Sequence, residues 1–149
     1  GHLNSPLNDC ERLSLSDNSW EVLEPLPQAC YGANVMVLGV YLYVLGGVFN
    51  YSCLDSIHRF RFETLRWEYI PCTLPNPRRY MPAFKIDEFK VFFITEDTLY
   101  AFSPSSYSIE QVKSLPSSPY KSYFSRSHYS EGMLFCSSNE GVLSKFEIG

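Results

Sequence analysis

The sequence predicts an all-β fold made of repeated units of four short antiparallel strands, and three observations predict it. One pattern of anchor residues recurs at fixed offsets along the chain, the segments between anchors are punctuated as strands and turns, and no stretch sustains helical periodicity. Aromatic side chains make up 16% of the 149 residues, with 11 Phe and 11 Tyr, a content suited to half-buried pleated surfaces.

The pattern appears first in Leu13-Ser-Leu-Ser-Asp-Asn-Ser-Trp20-Glu-Val-Leu-Glu-Pro-Leu-Pro27. It returns in Phe60-Arg-Phe-Glu-Thr-Leu-Arg-Trp67-Glu-Tyr-Ile-Pro-Cys-Thr-Leu-Pro75 and in Phe102-Ser-Pro-Ser-Ser-Tyr-Ser-Ile109-Glu-Gln-Val-Lys-Ser-Leu-Pro116. Each copy holds an apolar anchor, then Trp or Ile seven positions later followed by Glu, then Leu-Pro. A fourth copy begins at Leu143-Ser-Lys-Phe146-Glu-Ile148, so the anchors Leu13, Phe60, Phe102 and Phe146 lie 47, 42 and 44 residues apart.

The strands of one period are read in order from residues 28–75. Gly32 to Leu38 is an apolar run that Gly39 turns, and Val40 to Leu45 is a second run closed by Gly46-Gly47. The polar connection Asn50 to Asp55 leads into Ile57-His-Arg-Phe60-Arg-Phe62, whose alternation predicts a strand with one buried face. Glu63-Thr64 is a turn and Trp67 to Ile70 a fourth strand. Pro71, Pro75 and Pro77 lack the N–H that a sheet ladder needs, which predicts a linker from Pro71 onward. Four strands in each period of this length is the arithmetic of propeller blades.

These residues carry a resemblance to the kelch repeat, in which a strand ends in Gly-Gly and a Trp follows an aromatic by seven residues. Val40-Tyr-Leu-Tyr-Val-Leu-Gly46-Gly47, Phe60 and Trp67 look like a full kelch signature. Other copies diverge: Gly46-Gly47 becomes Thr95-Glu96 and then Ser137-Ser138, Leu13 stands for the aromatic anchor, and Ile109 for the Trp. No Trp-Asp pair of the WD type occurs. The resemblance implies an open segment of kelch-like β-propeller of about three periods. Residues 1–27 are expected to give the outer strands of one blade, 28–75 and 76–116 a complete blade each, and 117–149 the inner strands of a further blade. Closed rings typically need about four to eight blades. The open edges are therefore expected to be covered by further blades or a neighbouring subunit. Left bare, Leu13, Leu15, Phe146 and Ile148 are expected to make the segment aggregate, oligomerise or unfold readily.

Charge offers little to nucleic acid or to anionic membrane, since 12 basic against 16 acidic residues give a net charge of −4. The longest apolar run, Val35 to Val48, holds three glycines and is too short for a transmembrane helix. Cys10, Cys30, Cys53, Cys72 and Cys136 are odd in number, dispersed, and free of any C-x-x-C pair, which predicts reduced structural thiols in the cytoplasm.

No catalytic constellation is legible. His2, His58 and His128 have no metal-ligand spacing, and no nucleophile elbow or phosphate-cradling glycine loop occurs. His58 is expected to point away from the core between blades, and His128, after Ser125-Arg126-Ser127, resembles the structural opening of many kelch repeats. Asp87-Glu88 and Glu96-Asp97 are expected at turns, solvated by water. In the stretch Ser117 to Tyr129, the interleaved tyrosines and cations fit base stacking, but also a tyrosine-rich linker and inner strand.

The resemblance further implies a ligand rim where the loops joining second to third strands meet those joining successive blades. On this sequence that rim presents Phe49, Asn50, Tyr51, Arg78, Arg79, Tyr80, Tyr120 and Lys121. Arg and Tyr are favoured anchors at protein interfaces, although Arg78 has the alternative of packing on a neighbouring blade. The function so implied is a non-catalytic protein–protein interaction scaffold, without cofactor or metal, serving as a substrate adaptor or in a cytoskeletal or ciliary assembly. The alternative is a kelch-type enzyme, an oxidase or sugar isomerase, with active-site residues largely outside this segment.

Overall fold

Short strands with αL turns between them are what the alternating apolar residues and the Asn, Asp and Gly punctuation favour, and they account for all the regular structure described. The computed structural model describes residues 7–116, 124–138 and 143–147. Among these no helix occurs.

β1 (Cys10–Ser14) and β2 (Ser19–Leu23) form a two-stranded antiparallel sheet. β3 (Asn34–Leu38), β4 (Tyr41–Leu45), a small hairpin of β5 (Val48–Phe49) and β6 (Ser52–Cys53), β7 (Ser56–Arg61) and β8 (Arg66–Thr73) follow. Four of these make an antiparallel sheet in the order β3-β4-β7-β8. β9 (Ala83–Lys85), β10 (Val91–Thr95), β11 (Thr98–Ser103) and β12 (Ser108–Ser114) repeat that order in a second four-stranded sheet. β13 (Phe124–Ser130), β14 (Met133–Ser138) and β15 (Leu143–Glu147) form a three-stranded sheet. The sheets are open, and none closes on itself.

The sequence pattern is a pattern of contacts. The anchor and the residue seven positions on are direct cross-strand partners in each copy: Leu13 with Trp20, Phe60 with Trp67, Phe102 with Ile109. The turn between them ends in a residue at positive φ in every case, namely Asn18, Leu65 and Tyr107. The Glu after Trp or Ile makes an ion pair each time, Glu21 with Arg12, Glu68 with Arg59 at 2.6 Å and Glu110 with Lys90 at 3.1 Å. The Leu of each Leu-Pro is buried, and its N–H donates at 2.7 Å to the carbonyl preceding the third strand: Leu26 to Asn8, Leu74 to Asp55, Leu115 to Asp97.

Alternation then places one face of each sheet against its neighbour. Tyr43, Leu45, Ile57 and Ile70 of the first complete sheet share a core with Met81 just before β9 and with Ala83, Val91, Phe93 and Phe102 of the second. The opposite face of the second sheet, with Phe84, Ile94 and Leu99, packs on Leu134 and Cys136 of the last. The Phe84 and Tyr129 rings stack across that seam at 5.7 Å. Polar links reinforce both seams, as Asn34 Nδ2 donates to the Met81 carbonyl at 3.2 Å and Ser127 Oγ to the Ala83 carbonyl at 2.9 Å.

Three expectations need correction. Pro71 does not end the fourth strand, because β8 runs on to Thr73. It lies on the outermost strand, where a missing N–H faces no ladder partner, beside a register shift opposite Ser56/His58. His58 does not point away from the core between blades. It shares the Phe60 face two residues away, and its ring meets Trp67 edge-on at 6.4 Å with Nε2 buried. The turn acids are not left to water either. Glu88 accepts the Gly39 N–H from the preceding sheet at 2.8 Å, and Asp87 Oδ1 caps the N–H groups of Phe89 and Lys90.

Candidate partner-binding rim

Because β3 begins where β4 ends, one edge of each sheet collects its entry, the β4–β7 connection and its exit. In the next sheet the same edge carries the 74–82 linker and the Glu96-Asp97 turn. Phe49, Asn50 and Tyr51 are therefore at the same end of the sheets as Arg78, Arg79 and Tyr80. Tyr120 and Lys121 lie outside the described residues.

Gly47 makes the first element of this rim possible. It sits at φ +108°, and a Cβ there would lie 3.0 Å from Cys30 Cβ and 3.2 Å from its Sγ. That close approach lets Val48 and Tyr31 exchange backbone hydrogen bonds at 2.8 and 3.1 Å, which docks the β5–β6 hairpin against the sheet's entry. The next period needs no such glycine, since its second and third strands are joined by only Glu96-Asp97, and Thr95 Oγ1 donates to the Asn76 carbonyl instead.

Asn50 and Tyr51 form the hairpin's two-residue turn, at φ 46° and 66°. A turn with both residues left-handed favours Asn first and Gly second. Here Tyr takes the glycine position, at a conformational cost of about 1–2 kcal/mol for an L side chain. The ring gains no burial in return, for Tyr51 is 95% exposed. Phe49 is half-buried behind it.

The 74–82 linker divides its residues between surface and packing. Arg78 is exposed and pairs with Glu96 across the rim at 3.3 Å. Arg79 is exposed as well. Tyr80 lies half-buried against Gly32 of the preceding sheet, where a Cβ would come within 2.9 Å of its ring, and its N–H donates to the Gly32 carbonyl at 3.2 Å. Tyr80 thus takes the neighbour-packing role that sequence reasoning weighed for Arg78.

Elsewhere several ionisable groups are bound into the sheets. Arg59 lies over the Tyr41 ring at 4.3 Å and the Tyr107 ring of the next sheet at 5.4 Å. Burial opposes its charge, yet the Tyr43 hydroxyl and the Glu68 carboxylate hold it more firmly protonated than usual. Burial lowers the affinity of His58 for a proton. It also pushes the thiols of Cys10, Cys30 and Cys72 up and that of Cys136 to about 12, while Cys53 is exposed. No disulfide forms among the described residues, and no group of three or more metal-ligating side chains occurs there. Among the described residues no helix is long and apolar enough to cross a membrane. Sequence reasoning placed Phe49, Asn50 and Tyr51 on the rim by resemblance but read Asn50 to Asp55 as a polar connection and missed the hairpin; the signal was Gly-Gly followed by Val-Phe-Asn-Tyr, the composition of a strand and a tight turn.

The kelch motif matches residues 29–73, which span β3 to β8. Kelch domain-containing protein 10 of Xenopus laevis is 37% identical over 83 residues, covering 50% of this chain and 20% of that protein. The Xenopus tropicalis protein of the same name is 38% identical over 71 residues, covering 42% and 17%. The matched part of the chain thus spans a fifth or less of these relatives. The motif match falls on the sheet whose Gly-Gly, Phe60 and Trp67 make the contacts described above, so residues 29–73 match a kelch repeat, and the open antiparallel sheets on either side are consistent with diverged kelch blades.

Proposed function

We propose that the chain is part of a non-catalytic protein–protein interaction scaffold and that its rim, with Tyr51 foremost, contacts a protein partner. The observation that carries this is the strained and exposed tyrosine at the hairpin tip. Backbone strain persists where something other than local stability retains it, and an aromatic ring with few rotamers is a favoured anchor. Arg78 and Arg79 supply cations on the same rim, and guanidinium forks suit the carboxylates of a protein surface. Kelch repeats generally mediate protein interaction, which agrees with this reading. The partner's role, whether in substrate adaptation, the cytoskeleton or a cilium, is a finer question that the same capture experiment answers.

Nucleic acid and membrane are not the proposed partners, in keeping with the net charge of −4. The cytoplasm is the proposed location, where five unbridged cysteines stay as thiols. The test is affinity capture with the intact propeller, comparing wild type with Tyr51→Ala and with Arg78→Ala plus Arg79→Ala. The expected result is a discrete set of proteins lost from both variants while the fold is kept. Captured proteins indifferent to all three substitutions place the contact elsewhere and overturn the rim assignment.

A further inference from the structure

Two polar side-chain atoms on β7 are buried with no hydrogen-bond partner within the protein, Ser56 Oγ and His58 Nε2. A folded chain holds few such atoms, because each gives up its bonds to solvent and gains none in return. Among the described residues no other buried side-chain nitrogen or oxygen is left in this way. The two lie two residues apart on one face of one strand, so they call for a shared partner. Alternate residues of a strand are about 6.5 Å apart. One molecule bonded to both groups at about 2.8 Å spans roughly 4.5–5.5 Å, a gap that side chains leaning toward each other close.

The opposite strand explains why no protein group fills the place. Ser56 pairs with Thr73 and His58 with Tyr69, so Ile70, Pro71 and Cys72 together lie opposite Ile57 alone. Pro71 has no N–H to give. Ile70 and Ile57 turn into the core shared with the next sheet, and Cys72 packs against that same core. Tyr69 is 85% exposed. Trp67, which meets His58 edge-on, already donates its Nε1–H to the Glu24 carbonyl at 2.9 Å. What the bulge does offer is backbone oxygen, because its extra residues stand outside the ladder and their carbonyls are available as acceptors.

We infer that one ordered water binds at this bulge, bridging Ser56 Oγ and His58 Nε2 with a bulge carbonyl as its third partner. Three partners is what a buried water ordinarily takes. Water both donates and accepts, so it serves either tautomer of neutral His58. A metal ion is the poorer occupant, since one imidazole and one hydroxyl bring no charge and no group of three metal-ligating side chains occurs among the described residues. So placed, the water links β7 and β8 where their ladder is interrupted. The site adjoins the hydrogen bonds that seat the start of β7, the Ser56 carbonyl accepting the Gly46 N–H at 3.0 Å and the Asp55 carbonyl the Leu74 N–H at 2.7 Å. The inference is independent of the rim and of any partner.

The test pairs a crystal structure of the intact propeller, at a resolution that shows ordered solvent, with water-selective NMR of the histidine-labelled protein in solution. The expected result is one water within about 2.6–3.2 Å of both atoms. In solution, a cross-peak between the His58 ring protons and water is expected with the sign of a long-lived contact, while exposed His128 gives none. Ser56→Ala removes one partner and little else, and is expected to weaken the cross-peak at least fivefold and to remove the water from the density. A direct Ser56 Oγ–His58 Nε2 hydrogen bond, another protein group seated on either atom, or a bulge without ordered water overturns the assignment. So does a water that keeps its place unchanged in Ser56→Ala, and density with metal-ligand distances does so in favour of a cation. Neither readout involves Tyr51, Arg78 or Arg79, so failure here and failure at the rim are distinguishable.

Discussion

Replacing Phe102 by alanine tests whether the repeats are one cooperative stack. Phe102 is wholly buried on the second complete sheet, in the core that this sheet shares with the first. Its ring meets Tyr43 edge-on at 6.0 Å. Truncating a buried Phe costs roughly 3–5 kcal/mol, including the cavity it leaves, and the aromatic pair accounts for about 0.5–1.5 of that. Against a net stability of about 5–15 kcal/mol, the loss is large. With a urea slope near 2 kcal/mol/M the midpoint is expected to fall by about 2 M. The assay is urea unfolding followed by far-UV circular dichroism and by Trp67 fluorescence in a Trp20→Phe background. Trp67 stands on the other sheet, so both signals are expected to shift together with an unchanged slope. A loss below about 1 kcal/mol, or a Trp67 transition that stays put while the dichroism moves, shows independent sheets and refutes the shared core.

Burial lowers the proton affinity of His58 in the fold, so the unfolded chain takes up the proton more readily. Stability is therefore full above the ordinary histidine value of about 6.5 and falls as pH drops below it. Urea midpoints at neutral and mildly acidic pH check this, and His58→Phe is expected to flatten the difference. A thiol reagent at pH 8 is expected to label exposed Cys53 first and Cys136, pushed up to about 12, only on unfolding. Glu24→Ala removes the carboxylate from Trp67 and Arg66 and is expected to speed amide exchange across β1 and β2 while leaving β10 and β11 protected.

The repeat was legible because its letters are contacts. Leu13 and Trp20, Phe60 and Trp67, Phe102 and Ile109 sit seven apart in sequence because a four-residue turn brings them opposite each other. Strand positions followed from alternation, which burial of one face enforces. Contacts set by tertiary geometry were not legible. Nothing local says that Glu88 reaches Gly39 of the preceding sheet, or that Tyr80 fills the space over Gly32. Pro71 was misread because its tolerance depends on β8 being outermost. His58 was misread although alternation puts it on the Phe60 face. Of the rim, sequence reasoning reached the residues through resemblance to the kelch family, while the tip that singles out Tyr51 depends on two left-handed residues.

The most direct test of the scaffold reading is site-specific photo-crosslinking of the intact propeller in cells. A photoreactive residue is placed at Tyr51 on the proposed rim or at Phe89, 74% exposed in the turn at the opposite end of the sheets. Discrete protein adducts are expected from position 51, reduced by Arg78→Ala plus Arg79→Ala, with few or none from position 89. Adducts only from position 89, or the same adducts from both ends, would contradict the rim as the binding surface.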